Sequence, residues 1–252
     1  TDSRQFTLQS LTGTGAADCA TADQDWSLFR AYTSLENAES WTENTGIDDS
    51  PEDFDTASAG INDIVSLNAA WNIACYADER DTTTIEIDDW ITTRQNSITI
   101  YTPYLSSEVG ETQRHAGVWS DERFHLYNDH GDYDPVIDDQ TGFVIIDGLQ
   151  IFASYQYQYG ITLFAINDGR FSTVKNCILR SDLEPDMAAI HTSSYANTYY
   201  IYNNIIYDFT AGISRLDGTT YIVNNTFVDC SGYGVWSTGN RPVRAVQRRI
   251  RC

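Results

Sequence analysis

Between Thr141 and Gly239 the chain repeats one pattern of apolar and polar positions four times. Each repeat has a short core in which aliphatic side chains alternate around a central Asp or Asn: VIIDGLQI (Val144–Ile151), TVKNCILR (Thr173–Arg180), YIYNNIIY (Tyr200–Tyr207) and YIVNNTFV (Tyr221–Val228). After a variable loop, each core is followed by a second apolar segment: GITLF at Gly160, AIHTS at Ala189, GISRL at Gly212 and GVWST at Gly234. Repeats of this size are typical of stacked units rather than of a closed globule.

Superposing the cores on their central residue produces three columns. The central column is Asp147, Asn176, Asn203 and Asn224, at spacings of 29, 27 and 21 residues. The column two residues earlier is Ile145, Val174, Ile201 and Ile222, and the column two residues later is Leu149, Ile178, Ile205 and Thr226. Period-2 alternation sends every other side chain of a strand inward, and Asn tolerates the left-handed backbone of a tight corner. We therefore predict an all-β fold, a single-stranded parallel β-helix (solenoid), over a sandwich of unrelated strands, which would lack such columns.

The N-terminal part predicts a cap for this solenoid. Residues 1–60 form the cap and an acidic loop, and a helix is expected near Ser34–Trp41, where Thr33 and Glu36 resemble a capping box. A helix there would cover the unpaired backbone groups of the first rung, and Trp41 would seal the apolar end.

The solenoid itself is predicted to span residues 61–240. Its first strands are expected at Trp71–Tyr76, Thr84–Ile87 and Ser97–Tyr101, and a long insertion follows at about 102–140. Residues 241–252 form an atypical basic tail with five arginines and no acidic residue.

The Asn-containing cores followed by Gly-Ile or Gly-Val resemble the right-handed parallel β-helix superfamily, the pectin-lyase-like fold. The resemblance covers about residues 141–239 and extends less clearly back to about residue 60. It implies a right-handed coil, and it leaves the reaction open because polysaccharide lyases, glycoside hydrolases, phage tailspikes and adhesins share the fold. A lyase of this kind implies carboxylate-bound calcium with an Arg or Lys base, and a hydrolase implies a cluster of aspartates.

The net charge of the chain limits the classes of molecule that it is expected to bind. The 252 residues carry 36 acidic and 15 basic side chains, a net charge of −21, and Lys175 is the one lysine. Nucleic acid is therefore not expected as a partner, since phosphate binding needs a basic face. No apolar run reaches membrane-spanning length, so membrane insertion is not expected. We expect an extracellular or cell-surface protein that binds a polysaccharide or cell-surface glycan, with open solenoid ends that allow oligomers.

The five cysteines show no metal-binding spacing. Cys177 and Cys230 lie on cores two rungs apart, beyond disulfide reach, and are expected to be buried thiols. Whether Cys19 and Cys75 pair is left open.

The candidate catalytic residues lie on or near one outward column of side chains, which comes just after the start of each second apolar segment. This column is Thr162, His191, Ser214 and Trp236. An imidazole suits acid/base chemistry near neutral pH. The catalytic candidates are therefore His191, with Arg215 on the next rung and Asp168 and Arg170 on the one before. A surface histidine and a charged pair without catalytic role are the alternative, since no G-H-G or R-x-K motif is present.

Two acidic segments are candidate calcium sites, because alternating carboxylates on a turn supply oxygen ligands. Solvated acidic loops are the alternative for both. The candidate metal ligands are Asp182, Glu184 and Asp186 in one segment and Asp129, Asp132 and Asp134 in the other.

Aromatic residues give the chain a second kind of candidate site. Rings with a polar edge suit the flat faces of sugars, and solenoids bind extended ligands along their surface. The candidate carbohydrate-binding residues are Tyr157, Tyr159, Tyr195 and Trp236. Asn224-Asn225-Thr226 matches a glycosylation sequon, but its corner position favours a structural role for Asn224.

Two functions follow from these observations. The first is an extracellular β-helix module that binds carbohydrate or builds a surface assembly. The alternative is a polysaccharide-active enzyme, a calcium-assisted lyase or a glycoside hydrolase, with a cleft on the outer face of the solenoid.

Overall fold

The computed structural model describes residues 30–46, 62–105, 113–128, 134–166, 169–182, 187–194, 196–237 and 243–246, with backbone only at 215 and 243–246. The chain divides into two units, Thr1–Arg30 and Ala31–Cys252, and every element below belongs to the second. No helix in the described ranges is long and apolar enough to cross a membrane.

The described residues form one short helix, α1 (Leu35–Glu39), and three sheets whose strands are all parallel. The seven-stranded sheet contains β1 (Trp71–Ala74), β3 (Ile98–Tyr101), β6 (Val144–Asp147), β9 (Phe171–Lys175), β12 (Thr198–Tyr202), β15 (Thr219–Val223) and β18 (Val243–Val246). The five-stranded sheet contains β4 (His125–Asn128), β7 (Gln150–Ala153), β10 (Ile178–Ser181), β13 (Ile205–Tyr207) and β16 (Thr226–Val228). The six-stranded sheet contains β2 (Ile85–Ile87), β5 (Ile137–Asp139), β8 (Ile161–Leu163), β11 (Ala188–Thr192), β14 (Ala211–Arg215) and β17 (Tyr233–Ser237).

The chain passes through the three sheets in turn, and each strand pairs with its equivalent on the next rung. This topology is a β-solenoid, so the predicted parallel β-helix is confirmed. Each predicted core crosses a corner from the seven-stranded to the five-stranded sheet, and the second apolar segments are the strands of the six-stranded sheet.

Three aliphatic columns fill the interior, one from each sheet. Their members pair directly across rungs and are at most 2% exposed. Burying an apolar side chain of this size stabilises a fold by about 1.5–3 kcal/mol, so the columns contribute strongly to stability. They are Ile100, Ile146, Val174, Ile201 and Ile222; Leu126, Ile151, Leu179, Ile206 and Phe227; and Ile85, Ile137, Ile161, Ile190 and Ile213.

An Asn ladder marks the predicted corner. Asn176, Asn203 and Asn224 have left-handed φ angles of 55°, 59° and 53°. Asn224 Nδ2 donates to Asn203 Oδ1 at 2.8 Å, and Asn203 Nδ2 donates to Asn176 Oδ1 at 3.4 Å. Asn tolerates this backbone conformation and offers both a donor and an acceptor to its neighbour. The corner role of these residues is confirmed.

The predicted register of the first core was wrong by one residue. Asp147 pairs with Lys175 rather than with Asn176, and Gly148 (φ 83°) occupies the corner. Glycine and asparagine both tolerate left-handed backbone. Because Gly148 takes the corner conformation, superposing the repeats on Asp147 shifted the first core by one residue. As a result Ile146, not Ile145, lies in the column of Val174, and Gln150, not Leu149, pairs with Ile178.

A second Asn ladder lies inside the same corner. Asn204 and Asn225 are each 1% exposed. Asn225 Oδ1 accepts from the backbone N–H and the Nδ2 of Asn204, both at 3.0 Å, and Asn204 Oδ1 accepts from the N–H of Cys177 at 2.9 Å. The amides also donate to the carbonyls of Val174 and Ile201. Buried backbone groups that the turn leaves unpaired are satisfied in this way.

Tryptophans cover the N-terminal end of the solenoid. Trp41, which follows α1, stacks on Trp71 of β1 at 4.7 Å between ring centroids, and Trp71 also packs against Trp90. The expected helix is present, but its N-cap is Ser34, whose hydroxyl accepts from Asn37 N–H, and not Thr33. A buried hydrogen bond from Leu35 N–H to Asp81 Oδ2 (2.8 Å) joins the helix to the first rung.

The segments at 102–140 and 241–252 both contribute strands. β4 and β5 lie within the first segment, and β18 pairs with β15 from within the second. Residues 113–124 run across the outside of the five-stranded sheet, where Ser120 N–H donates to Gln150 Oε1 at 2.7 Å and Gln150 Nε2 donates to Ser120 O at 2.9 Å. This stretch is called the strap below.

The described cysteines are buried. Cys177 and Cys230 are 0% and 7% exposed, as expected, and Cys75 is 4% exposed. Burial raises the pKa of Cys177 to about 12. Cys19 lies outside the described residues.

Replacing Asn225 by Ala should lower the free energy of unfolding by about 2–3 kcal/mol. The change leaves buried donors of Asn204 and the buried carbonyl of Ile201 without their hydrogen-bond partner. The matched control is Asn224→Gly, which removes an exposed amide and keeps the left-handed backbone accessible; its cost should be about 0.5 kcal/mol or less. Urea denaturation followed by circular dichroism measures both. Equal losses for the two variants would contradict a structural role for the inner ladder.

Candidate functional site

The outward face of the six-stranded sheet carries a continuous column of polar and aromatic side chains. The pairing register places Thr162, His191, Ser214 and Trp236 on successive rungs, in the order the sequence predicts. It extends the column by two acidic residues, Asp138 next to Thr162 and Glu86 next to Asp138. Five steps of about 4.8 Å make the column about 24 Å long.

His191 lies at the middle of this column. Its Nδ1 is 2.9 Å from the hydroxyl oxygen of Ser214, and its ring is 4.5 Å from the ring centroid of Tyr159. The hydrogen bond and the ring contact fix the orientation of the imidazole, which is half-buried. Tyr159, predicted to contact sugar, packs against His191 instead of standing alone.

Asp138 and Glu86 form a carboxyl pair at the N-terminal end of the column. The side-chain amide of Gln140 donates to both, to Asp138 Oδ2 at 3.0 Å and to Glu86 Oε1. The pKa of Asp138 is raised to about 6; desolvation is the largest cause, the Gln140 hydrogen bond opposes it, and the charges of Glu86 and Asp139 add to the rise. Asp138 Oδ1 is buried without a hydrogen-bond partner in the described structure. An acid that keeps its proton near pH 6 beside an exposed carboxylate has the properties of an acid/base pair.

This pair is not among the candidate residues predicted from the sequence. The alternation in TIEI points Glu86 outward, but Asp138 falls within the segment at about 102–140 that was predicted to be an insertion. The signal available was the apolar pair Val136-Ile137, which predicts a strand and places Asp138 on its outward face.

Arg170 makes structural hydrogen bonds near this column. Its Nη1 donates to Thr92 Oγ1 at 2.8 Å and to Thr141 O at 2.5 Å. Next to it the fully buried Asp139 accepts from the N–H groups of Thr141 (3.1 Å) and Gly142 (2.7 Å) and from the hydroxyl of Ser172. Desolvation raises the pKa of Asp139 and lowers that of Arg170. The described contacts of Arg170 therefore stabilise a corner of the solenoid.

Most of the other predicted residues lie outside the described structure. Asp168, Tyr195, Asp129, Asp132, Glu184 and Asp186 fall in this group, and Arg215 is described only by its backbone. Of the predicted metal ligands, Asp134 and Asp182 are described, and both are exposed. Within the described ranges no three His, Cys, Asp or Glu side chains come together as a metal site.

Exposed rings lie at the other end of the column. Trp236 is 47% exposed and Tyr233 is 59% exposed, and their rings are nearly parallel, at 16°, with centroids 6.5 Å apart. Tyr157, the remaining predicted carbohydrate-binding residue, is 40% exposed. The two rings of Tyr233 and Trp236 are called the aromatic platform below.

No family model, no curated protein and no solved structure matches this chain. The fold assignment therefore rests on the sheet topology, and a functional assignment has to come from the geometry of the column.

Replacing Asp138 by Asn should stabilise the protein above pH 6 and leave its stability unchanged below about pH 4. The folded carboxyl retains its proton up to about pH 6, whereas an unfolded one releases it near pH 4. Wild-type stability therefore falls as the pH rises through this window, and a neutral amide avoids the loss. After allowance for solvent screening the gain is about 1 kcal/mol.

Thermal denaturation of both proteins at pH values from 3 to 8 checks this. Asp182→Asn removes an exposed carboxylate and is the matched control, with a pH dependence expected to follow wild type. A stability difference between Asp138→Asn and wild type that does not change with pH would contradict the expectation.

Proposed function

We propose that this chain is an extracellular carbohydrate-binding module and that its glycan lies along the outward column of the six-stranded sheet. The observation that carries the proposal is the aromatic platform at the end of this polar column. Trp236 and Tyr233 are exposed and nearly parallel. Such rings offer flat apolar surface to the C–H face of a pyranose, while their polar edges remain hydrated.

The rest of the column suits the hydroxyl groups of an extended glycan. The exposed Glu86 offers hydrogen-bond acceptors and the half-buried His191 offers an imidazole. Ser214 is buried against His191, and the hydroxyl of Thr162 is buried, so these two shape the column beneath the ligand. A length of about 24 Å along a rigid sheet matches an extended ligand rather than a single sugar. The net charge of −21 favours a neutral polysaccharide or cell-surface glycan over a polyanion.

The topology also supports placing the chain in the right-handed parallel β-helix superfamily, the pectin-lyase-like fold, as part of the same proposal. Strands that pass through three parallel sheets and a corner Asn ladder are the features that support it. The extracellular location is part of the same proposal, and it is supported by this superfamily and by the acidic surface.

Replacing Trp236 by Ala should weaken binding to the preferred polysaccharide about tenfold or more, because one stacking surface of the platform is lost. Affinity gel electrophoresis with neutral and acidic polysaccharides identifies the ligand and measures the change. Tyr104→Ala is the matched control, since Tyr104 is 52% exposed and lies outside the column. Equal retardation of the Trp236→Ala protein and wild type would remove the platform from the proposal.

A second candidate function is favoured by the Glu86–Asp138 pair. We propose that, if the module is catalytic, it is a glycoside hydrolase in which Asp138 is the general acid and Glu86 the second carboxylate. Both side chains accept from Gln140, and hydrolases of glycosidic bonds use two neighbouring carboxyl groups of different pKa. The lyase alternative relies on calcium ligands and on an Arg215 side chain that lie mostly outside the described residues.

A reducing-end assay on the polysaccharides that bind would test the hydrolase. Asp138→Asn should lower the rate at least about 100-fold, the usual contribution of a general acid. Wild-type activity should fall as the pH rises above 6, where Asp138 loses its proton. Both enzymes create a new reducing end, and a lyase in addition creates an unsaturated, ultraviolet-absorbing non-reducing end. Appearance of that unsaturated end would favour the lyase. If no new reducing end forms on any polysaccharide, the binding module remains the proposed function.

A further inference from the structure

The outward face of the five-stranded sheet carries a stack of rings and guanidinium groups. Tyr127, Phe152, Arg180 and Tyr207 occupy directly paired positions on successive rungs. Tyr127 and Phe152 stack with ring centroids 4.4 Å apart at 5°. None of these residues belongs to the column of the six-stranded sheet.

Arg180 is held firmly within this stack. Its guanidinium carbon lies 4.8 Å from the ring centroid of Phe152 and 4.7 Å from that of Trp119, which belongs to the strap. Arg180 also occupies the position paired with Tyr207, and its charge lowers the pKa of that phenol against the larger opposite effect of desolvation. Asp147 forms ion pairs with Arg114 and with Lys175, and neither pair involves Arg180. Arginine has five N–H donors, so a guanidinium held over the faces of two rings keeps donors for a ligand.

An open cleft of about 470 Å³ lies beside this guanidinium. It is lined by Arg180, Ser181, Asp182, Tyr207 and Asp208. Donors, acceptors and the face of one half-buried ring therefore lie together on a rigid strand pair. The volume falls within the range of small-ligand sites.

We propose that this cleft is a binding site for one neutral pyranose unit, with Arg180 donating to a ring hydroxyl and Asp182 accepting from its neighbour. The inference rests on the proposed carbohydrate-binding function and adds a site that is separate from the aromatic platform.

The mixture of charges in the cleft favours a neutral sugar. Each sugar hydroxyl both donates and accepts, so a vicinal diol matches a guanidinium and a carboxylate that lie side by side. An acidic sugar would bring its carboxylate next to Asp182 and Asp208, and like charges at such distances repel. The ring of Tyr207 provides an apolar surface for the remaining face of the pyranose.

Isothermal titration calorimetry of the whole chain with short neutral oligosaccharides, and with their uronate counterparts, tests the site. Arg180→Met keeps the side-chain length but removes every donor, and it should weaken binding of a neutral oligosaccharide at least about tenfold. Asp182→Asn should weaken it about threefold to tenfold, and because Asp182 is exposed this variant keeps the fold even if Arg180→Met does not. Arg94→Met is the matched control, since the Arg94 guanidinium packs 4.7 Å from the centroid of Phe171, away from the cleft.

The outcomes separate this site from the proposed function. The Arg180 effect should persist in a Trp236→Ala background, where the aromatic platform is removed. Oligosaccharide binding that responds to Trp236→Ala but is unchanged in both Arg180→Met and Asp182→Asn would overturn the cleft alone. Tighter binding of uronates than of neutral sugars, strengthened by Asp182→Asn, would overturn the neutral pyranose as its ligand. Failure of every saccharide to bind wild type would overturn both proposals.

Discussion

The structure depends on one constraint: each residue of a rung must fit directly against its equivalent on the next rung, about 4.8 Å away. Inside the coil, aliphatic side chains meet this condition by packing, as Ile146, Val174 and Ile201 do. At the corner, where the backbone turns and leaves polar groups unpaired, a side chain with both a donor and an acceptor continues the contact. Asn204 and Asn225 fulfil this role in the interior, and Asn203 and Asn224 fulfil it at the surface.

The same constraint assembles the candidate sites. Glu86 and Asp138 are far apart in the sequence, yet stacking makes them direct neighbours. In the same way Arg180 lies between Phe152 and Tyr207 because three rungs meet in register. Chemistry on this fold therefore comes from columns of residues on successive strands, and a short sequence motif is not required.

Much of the fold could be predicted from the sequence because columns leave a periodic trace. The strands of the four repeats, their order and the corner Asn residues follow from alternation and spacing, whereas β4, β5 and β18 lie in segments without a visible repeat. The register of the first repeat could not, since Gly148 and Asn176 meet the same backbone requirement with different side chains. For the site, the column from Thr162 to Trp236 followed from the repeat. Asp138 and Arg180 did not, because the raised pKa of Asp138 and the fixed guanidinium of Arg180 result from burial and contacts made by other rungs and by the strap.

The inner Asn ladder has a consequence for how the chain selects its pairing partners. The cores around Asn203-Asn204 and Asn224-Asn225 are so alike that either could pair with the rung before them if packing of aliphatic side chains were the only criterion. A strand that skipped a rung would still bury its isoleucines. It would also have to offer a buried amide at the same depth of the corner, and any slip of one residue would place an unpaired amide in the apolar interior. The inner ladder therefore fixes the register between these two rungs more strictly than aliphatic packing alone, since a slip of one residue costs the packing and the buried hydrogen bonds together.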